Sequence, residues 1–136
     1  MKKVKVIVEL TSDGIITARM DKDLFSGMGD TVERAVGNLR TGVAFFVETA
    51  RENGFPYKPW LAEEFEIELE YDAVKMLKYA RGYIKDTKLA KLTGIPAAQL
   101  GRYANDKAKP RAAQRRRIIK ALHKFATPLY AVALDA

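Results

Sequence analysis

The spacing of apolar residues changes at Asp72, and this change limits the folds that the chain can adopt. Val4 to Leu10 and Phe65 to Tyr71 alternate apolar and polar residues, which is the period of half-buried strands. After Asp72, apolar residues recur at three- and four-residue steps almost to the end, as they do in packed helices. The sequence therefore predicts an α+β chain with two units, a mixed unit over residues 1–72 and an all-α unit over residues 73–136.

The first unit is predicted to contain strands, one long helix and a final strand. Turn residues divide Val4 to Met20 into a β-hairpin. Asp30 and Glu33 have the spacing of a capping box, and Gly54 suits the left-handed conformation that ends many helices. With Phe65 to Tyr71 as the last strand, we expect a small antiparallel sheet whose apolar face is covered by the helix.

The two units carry opposite charge. Residues 1–72 hold 9 Lys and Arg against 14 Asp and Glu, a net charge of −5, and residues 73–136 hold 15 against 3, a net charge of +12. A segment this basic has the electrostatic character of a protein that binds nucleic acid or an anionic membrane surface. No apolar run approaches the ~18 residues of a membrane span, and the N-terminus lacks the apolar core of a signal peptide, so we expect a soluble, cytoplasmic protein.

The residue types give little support to enzymatic activity. The chain has no cysteine, and its one histidine, His123, lies among basic residues where neither a metal site nor a nucleophile–base pair can form. Asp21, Asp23 and Asp30 are the only local carboxylate cluster that invites comparison with a Mg²⁺ site. We interpret Asp30 as a helix cap and the other two as solvated loop residues, and therefore expect no catalytic residues, no metal and no cofactor.

The segment from Asp86 to Asn105 has the spacing of a helix-turn-helix. A small residue permits close approach of two helices, a glycine permits the turn, and apolar residues fix the pair to the flanking helices. The residues that fill these structural positions are Ala90, Gly94, Ile95, Leu100 and Tyr103. Ordinary helical hairpins also produce this spacing, but the flanking helices and the excess of cations favour DNA binding.

The second helix of this pair offers side chains that can read base edges. A recognition helix uses its N-terminal end and one face, where Gln can pair with adenine and Arg with guanine. The candidate base-reading residues are Gln99, Arg102, Ala97, Ala98 and Asn105. The candidate phosphate contacts are Lys88, Lys107, Lys109, Arg111 and Arg115, and for any one of them a solvated basic surface is the alternative.

Residues 72–127 resemble the repressor-like helix-turn-helix of phage repressors and related XRE/Cro-type transcription factors. Lys88 to Ile95 and Leu100 to Tyr103 carry the resemblance, and Pro96 stands where family members often have Ser or Thr. The resemblance implies double-stranded operator DNA as a partner. Because such proteins usually bind palindromes as symmetric dimers, we expect a homodimer or a higher oligomer. Leu129 to Leu134 could be a strand or a final helical turn. As an apolar strand that pairs with a second copy it is a candidate interface, although packing within the chain is equally compatible with its sequence.

Residues 1–72 resemble the HicB antitoxin fold, a partial ribonuclease H-like unit. The matching features are Val4 to Leu10, the Asp13-Gly14 turn, Gly29-Asp30-Thr31 followed by Glu33 and Ala35, and Asn53-Gly54 before the Pro56 to Pro59 connection. HicB proteins more often carry a Pro-Asp-Leu-Pro-Gly-like run where this chain has Asp21 to Gly27. The resemblance implies a HicA-like toxin as partner, a small basic protein that cleaves messenger RNA, and an acidic unit is complementary to such a partner.

Together the two resemblances predict an antitoxin of a type II HicAB-like toxin-antitoxin system. Residues 1–72 would neutralise a HicA-like mRNA interferase, and residues 73–136 would repress the operon that encodes both proteins. One alternative is an orphan helix-turn-helix regulator with no toxin, whose first unit serves dimerisation or ligand sensing. A second alternative is an adaptor whose basic half binds RNA or an acidic protein. Against RNA, we expect both Tyr103 and Phe125 in the core, which leaves no aromatic set for stacking on bases.

Overall fold

The computed structural model describes residues 1–134. The chain divides into two compact units, Met1–Asp72 and a second that begins at Ala73. The first unit pairs a four-stranded sheet with one long helix, and the second is built from four helices, so the fold is mixed α+β. None of the helices within residues 1–134 is long and apolar enough to cross a membrane.

The sheet of the first unit is mixed rather than antiparallel. Its strands are β1 (Lys2–Leu10), β2 (Ile16–Met20), β3 (Ser26–Gly29) and β4 (Phe65–Tyr71), in the spatial order β3-β2-β1-β4. The pairs β1–β2 and β2–β3 are antiparallel, as in the predicted hairpin. However, β4 pairs with β1 in parallel, with Val4 opposite Ile67 and Val6 opposite Leu69. The prediction of an antiparallel sheet was therefore wrong at β4.

The long helix explains the direction of β4. Helix α1 (Val32–Asn53) has 22 residues and therefore spans about 33 Å. A hairpin turn reverses the chain between neighbouring strands, whereas a helical crossover returns it to the end from which the previous strand started. Since β3 runs parallel to β1, the crossover through α1 and a short 3-10 helix (Pro59–Ala62) makes β4 parallel to both.

The core of the first unit lies between the sheet and one face of α1. Val4 and Val6 of β1 are buried in this core, together with a stripe of helical residues. The buried helical residues are Ala35, Leu39, Val43, Val47 and Ala50. The contact is closest at Gly27 of β3, where a Cβ atom would lie 2.3 Å from backbone atoms of α1. Glycine at this position lets β3 pack directly on the helix backbone.

The start of α1 differs from the predicted capping box. Thr31 is the N-cap residue, and its Oγ1 accepts a hydrogen bond from the Arg34 amide at 3.1 Å. Asp30 does not cap the helix, because its carboxylate accepts two hydrogen bonds from Arg34 Nη1, each 2.8 Å long. The predicted C-terminus is confirmed, since Gly54 has a φ of 68° and donates its N–H to the last turn.

The second unit consists of four helices around one core. They are α2 (Ala73–Arg81), α3 (Asp86–Thr93), α4 (Ala97–Ala104) and α5 (Ala112–Leu134). One fully buried residue from each helix meets the others at the centre of this core: Leu77, Leu89, Leu100 and Ile118.

The last helix departs from two expectations. It continues through Pro128 to Leu134, so of the two alternatives for Leu129 to Leu134 the helical one is confirmed and the strand is wrong. Phe125, predicted in the core, is 42% exposed, because the part of α5 that packs in the core ends near Leu122. Residues 135 and 136, the end of the predicted second unit, lie outside the described residues.

The backbone contact at Gly27 predicts that Gly27→Ala destabilises the first unit. The new methyl group would overlap the Ala35 carbonyl oxygen and the Leu39 amide nitrogen, so β3 has to move away from α1. We expect the free energy of unfolding to fall by roughly 1–3 kcal/mol. Urea unfolding followed by the fluorescence of Trp60, the single tryptophan of the chain, measures this change.

Gly37→Ala is the matched control, because nothing beyond the neighbouring residues and backbone of α1 lies within 4 Å of the added Cβ. In the interior of a helix this change raises the free energy of unfolding by about 0.5–1 kcal/mol. Equal stability of the two variants would contradict the described packing of β3 on α1.

Candidate nucleic-acid interface

The connection between α3 and α4 is short and fixed by hydrogen bonds. Gly94 has a φ of 72° and donates its N–H to the Ala90 carbonyl at 2.9 Å, which ends α3. The Thr93 hydroxyl donates to the Leu89 carbonyl at 2.8 Å and accepts from the Ile95 amide at 3.1 Å. Thr93 is buried, so its hydroxyl satisfies backbone groups that water cannot reach. The sequence reasoning missed this residue, whose signal is a threonine directly before the turn glycine.

The five residues predicted to support the two helices have different degrees of burial. Ile95, Leu100 and Tyr103 lie in the core, and Ala90 packs against it while half-buried. Gly94 is exposed, and a Cβ atom there would meet no neighbour within 4 Å. Its contribution is therefore the left-handed backbone conformation rather than close packing.

Burial of one side of α4 leaves the opposite side exposed. Leu100, Tyr103 and Ala104 face the core. At 100° per residue the opposite side carries Ala98 and Arg102, both of which are exposed. Asn105, the C-cap residue of α4, is also exposed and follows Arg102 by three residues. Three of the predicted base-reading residues, Ala98, Arg102 and Asn105, thus lie on the same side.

The other two predicted base-reading residues are less exposed. Gln99 is half-buried at the edge of the exposed face, and Ala97 is half-buried on the side nearer the core. Pro96 precedes them as the N-cap with a φ of −55° and makes no side-chain cap. The first turn of α4 also contains no acidic residue, so the positive end of the helix dipole is not neutralised by its own side chains.

An ion pair between Arg81 and Asp86 joins α2 to α3. Arg81 donates Nε and Nη2 to the two carboxylate oxygens of Asp86 at 2.9 and 3.0 Å. These hydrogen bonds lower the pKa of the Asp86 carboxyl from its ordinary value, although burial acts in the opposite direction. The Arg81 guanidinium also lies against α4, since its Nη2 would be 3.9 Å from a Cβ atom on Gly101. Sequence reasoning missed this ion pair, whose signal is an Arg and an Asp five residues apart across the connection between α2 and α3.

A second ion pair neutralises the other described carboxylate of this unit. Lys78 Nζ lies 2.9 Å from Asp106 Oδ2, just after the end of α4. Between residues 85 and 124 the chain has twelve Lys and Arg. Within the described part of the chain, none of these twelve side chains forms an ion pair. The positive charge of the unit is therefore available to an anionic partner.

The predicted phosphate contacts lie on and around this pair of helices. Lys88 is exposed on α3, and Lys107, Lys109 and Arg111 are exposed in the connection from α4 to α5. Arg115 is half-buried and donates Nη1 to the Pro110 carbonyl at 3.0 Å. Four of the five predicted residues are thus exposed cations, whereas one guanidinium nitrogen of Arg115 is already hydrogen-bonded to the backbone.

The carboxylates singled out in the first unit have separate surroundings. Asp23 binds Lys58, Asp30 binds Arg34, and Asp21 is exposed. No three acidic or histidine side chains in residues 1–134 lie close enough together to hold a metal ion. Along β4, an outer strand of the sheet, Glu66, Glu68 and Glu70 alternate with apolar residues. Glu68 and Glu70 lie 3.8 and 3.7 Å from the ammonium groups of Lys3 and Lys5 on β1.

The Arg81–Asp86 pair predicts a small acid sensitivity of the second unit. A carboxyl whose pKa is lowered by folding adds stability above its unfolded pKa of about 3.9 and loses that stability as the pH falls through the folded value. Because the side chains are 29% and 37% exposed, we expect Asp86→Asn to cost only about 0.5 kcal/mol at neutral pH, and nothing below the folded pKa. Thermal melts monitored by circular dichroism at pH 7 and at pH 3 measure the difference between variant and wild type. A difference that is equally large at both pH values would contradict this electrostatic role.

The candidate interface of the second unit thus combines the exposed face of α4 with a surrounding excess of cations. Comparisons of the chain with models of known protein families, with curated proteins and with solved structures found no match.

Proposed function

We propose that the second unit is a helix-turn-helix domain that binds operator DNA with α4 in the major groove. One observation carries this proposal: the side of α4 opposite the core exposes Ala98 and Arg102, and every described carboxylate of the same unit is bound to a cation. A duplex presents phosphates along both sides of a groove that is wide enough for one helix. A helix with a readable face and unpaired cations beside it matches that arrangement.

The exposed face of α4 has the chemistry required to distinguish base pairs. Arg102 can donate two hydrogen bonds to O6 and N7 of a guanine, which is the commonest specific contact in major grooves. Ala98 is small enough to let the helix approach and can contact a thymine methyl group. Asn105 can pair with an adenine, and Gln99 reaches the groove from the edge of the face. Ala97 is the least suited of the predicted set, because it lies nearer the core.

The cations outside α4 supply affinity without sequence preference. Lys88 precedes the turn, and Lys107, Lys109 and Arg111 follow α4, so both flanks of the helix carry exposed positive charge. Contacts of this kind fix the position of a protein on the duplex and make binding weaken steeply with salt.

The first unit supports the second part of the proposal, a basic protein partner. Its net charge of −5 and Glu66, an exposed carboxylate of β4 outside the ion pairs of Glu68 and Glu70, are complementary to a cationic RNA-cleaving protein. The resemblance to HicB implies that this partner is a HicA-like toxin, which the first unit would neutralise while the second represses the operon. The alternative is an orphan regulator whose first unit has no toxin to bind.

Substitutions at Arg102 and Lys109 separate base reading from phosphate contact. We expect Arg102→Ala to weaken binding to the upstream duplex by about 5- to 150-fold, equivalent to 1–3 kcal/mol, with little effect on random duplex. Lys109→Ala should weaken binding to both duplexes by the same smaller factor. It should also reduce the slope of the logarithm of the binding constant against the logarithm of the salt concentration by about 1. Fluorescence anisotropy with the two duplexes at several salt concentrations measures both effects. Equal losses on the two duplexes for both variants would exclude Arg102 as a base reader.

Co-purification from the native operon tests the toxin partner. We expect a small basic protein to purify with the full chain, because two complementary charged surfaces stabilise the complex. Glu66→Lys should reduce the amount recovered, whereas Glu33→Lys, the same change on the exposed first turn of α1, should not. Recovery of the chain alone at every salt concentration would favour the orphan regulator.

A further inference from the structure

An open groove lies in the first unit between the C-terminal half of α1 and the 3-10 helix. Its volume of about 450 Å³ is within the ~300–1,000 Å³ of typical binding sites in proteins. The apolar part of its lining consists of Ala44, Val47, Leu61 and Ala62, of which Val47 and Leu61 are buried. We call this feature the α1 groove.

The α1 groove is bordered by carboxylates that have no cationic partner. Glu48 and Glu52 line it and are one turn apart on α1, and Glu63 and Glu64 directly follow Ala62. All four glutamates are exposed, and none of them forms an ion pair within residues 1–134. Their charges are therefore available to a cationic molecule.

Two arginines of α1 are directed toward aromatic side chains instead of these carboxylates. Arg51, which lines the groove, donates Nε to the Tyr57 hydroxyl at 2.7 Å. Arg40 lies over the ring of Phe65, with its guanidinium carbon 4.9 Å from the ring centroid. The lining and the two glutamates after it thus carry four negative charges against the one positive charge of Arg51.

We propose that the α1 groove binds lysine or arginine side chains of a basic protein partner. These side chains have an apolar stem and a charged head, and they bury the stem on an apolar surface while the head stays near water. The groove offers both components, since its apolar lining lies beside Glu48 and Glu52. A small inorganic cation would use the carboxylates alone and leave the apolar lining exposed.

This inference deepens the proposed function and rests on it for the identity of the partner, because it names the surface of the first unit that holds a basic protein. Net charge alone does not distinguish that surface, since Glu68 and Glu70 already pair with lysines. Opposite charges placed at the contact itself fix the position of a partner. The glutamates of the α1 groove meet this requirement beside an apolar surface.

Fluorescence anisotropy of the full chain with a short labelled peptide of alternating arginine and alanine tests the proposal. We expect Glu48→Lys to raise the dissociation constant about fivefold or more, because it replaces an attractive charge by a repulsive one. Glu33→Lys makes the same change in net charge about 22 Å away along the helix axis. At physiological salt it should change the dissociation constant by less than about twofold, because that distance exceeds the screening length.

A second pair of variants should strengthen binding, which a misfolded protein cannot do. Ala44→Glu adds a carboxylate inside the groove at an exposed position and should lower the dissociation constant about threefold. Gly37→Glu adds the same charge two turns earlier on α1, where the added side chain meets only its own helix, and should lower the constant by less than about twofold.

Equal dissociation constants for Glu48→Lys and Glu33→Lys would overturn the proposal. Displacement of the peptide by an equal concentration of spermidine would assign the groove to a small polyamine and equally overturn it.

Co-purification from the native operon separates this inference from the proposed function. A basic protein recovered equally with Glu48→Lys and with Glu33→Lys would contradict the groove and leave the toxin proposal standing. Peptide binding that Glu48→Lys weakens, with no protein recovered from the operon, would support the groove and contradict the toxin proposal alone.

Discussion

The packing of Leu100 and Tyr103 into the core of the second unit determines which side of α4 faces outward. Both residues are almost completely buried, so rotating α4 would expose large apolar side chains and bury Arg102. The turn at Gly94 and the Thr93 hydroxyl fix where the helix begins. The orientation of Arg102 and Ala98 is thus a consequence of core packing, and the proposed reading of DNA depends on it.

Electrostatics adds a second constraint that packing alone does not supply. Arg81 and Lys78 hold the carboxylates of Asp86 and Asp106 in ion pairs beside α3 and α4, where a free carboxylate would repel phosphate. Those two cations therefore stabilise the helices, while the cations from Lys85 to Lys124 have no carboxylate partner among the described residues. The first unit carries the opposite net charge, which the proposed binding of a basic protein requires.

Periodicity predicted the elements better than their arrangement. Alternation identified β1 and β4, but alternating residues look the same in either chain direction, so only the crossover through α1 reveals that β4 is parallel. Asp30 and Thr31 are adjacent residues of types that both cap helices well. Asp30 pairs with Arg34 instead, and Thr31 is the N-cap residue.

In the candidate interface, the spacing predicted the exposed positions of Ala98 and Arg102, whereas the ion pair of Arg81 with Asp86 depends on three-dimensional proximity. The exposure of Phe125 followed from how far the core extends, which its helical spacing does not encode.

The central claim is that α4 is the part of the chain that enters the groove of a duplex. A titration of the isotopically labelled full chain with its upstream duplex, followed by backbone amide chemical shifts, tests this claim residue by residue. The proposed function predicts the largest shift changes from Ala97 to Asn105, smaller changes from Lys107 to Arg111, and almost none in β1 and β2. Large changes in the sheet with none in α4 would contradict it.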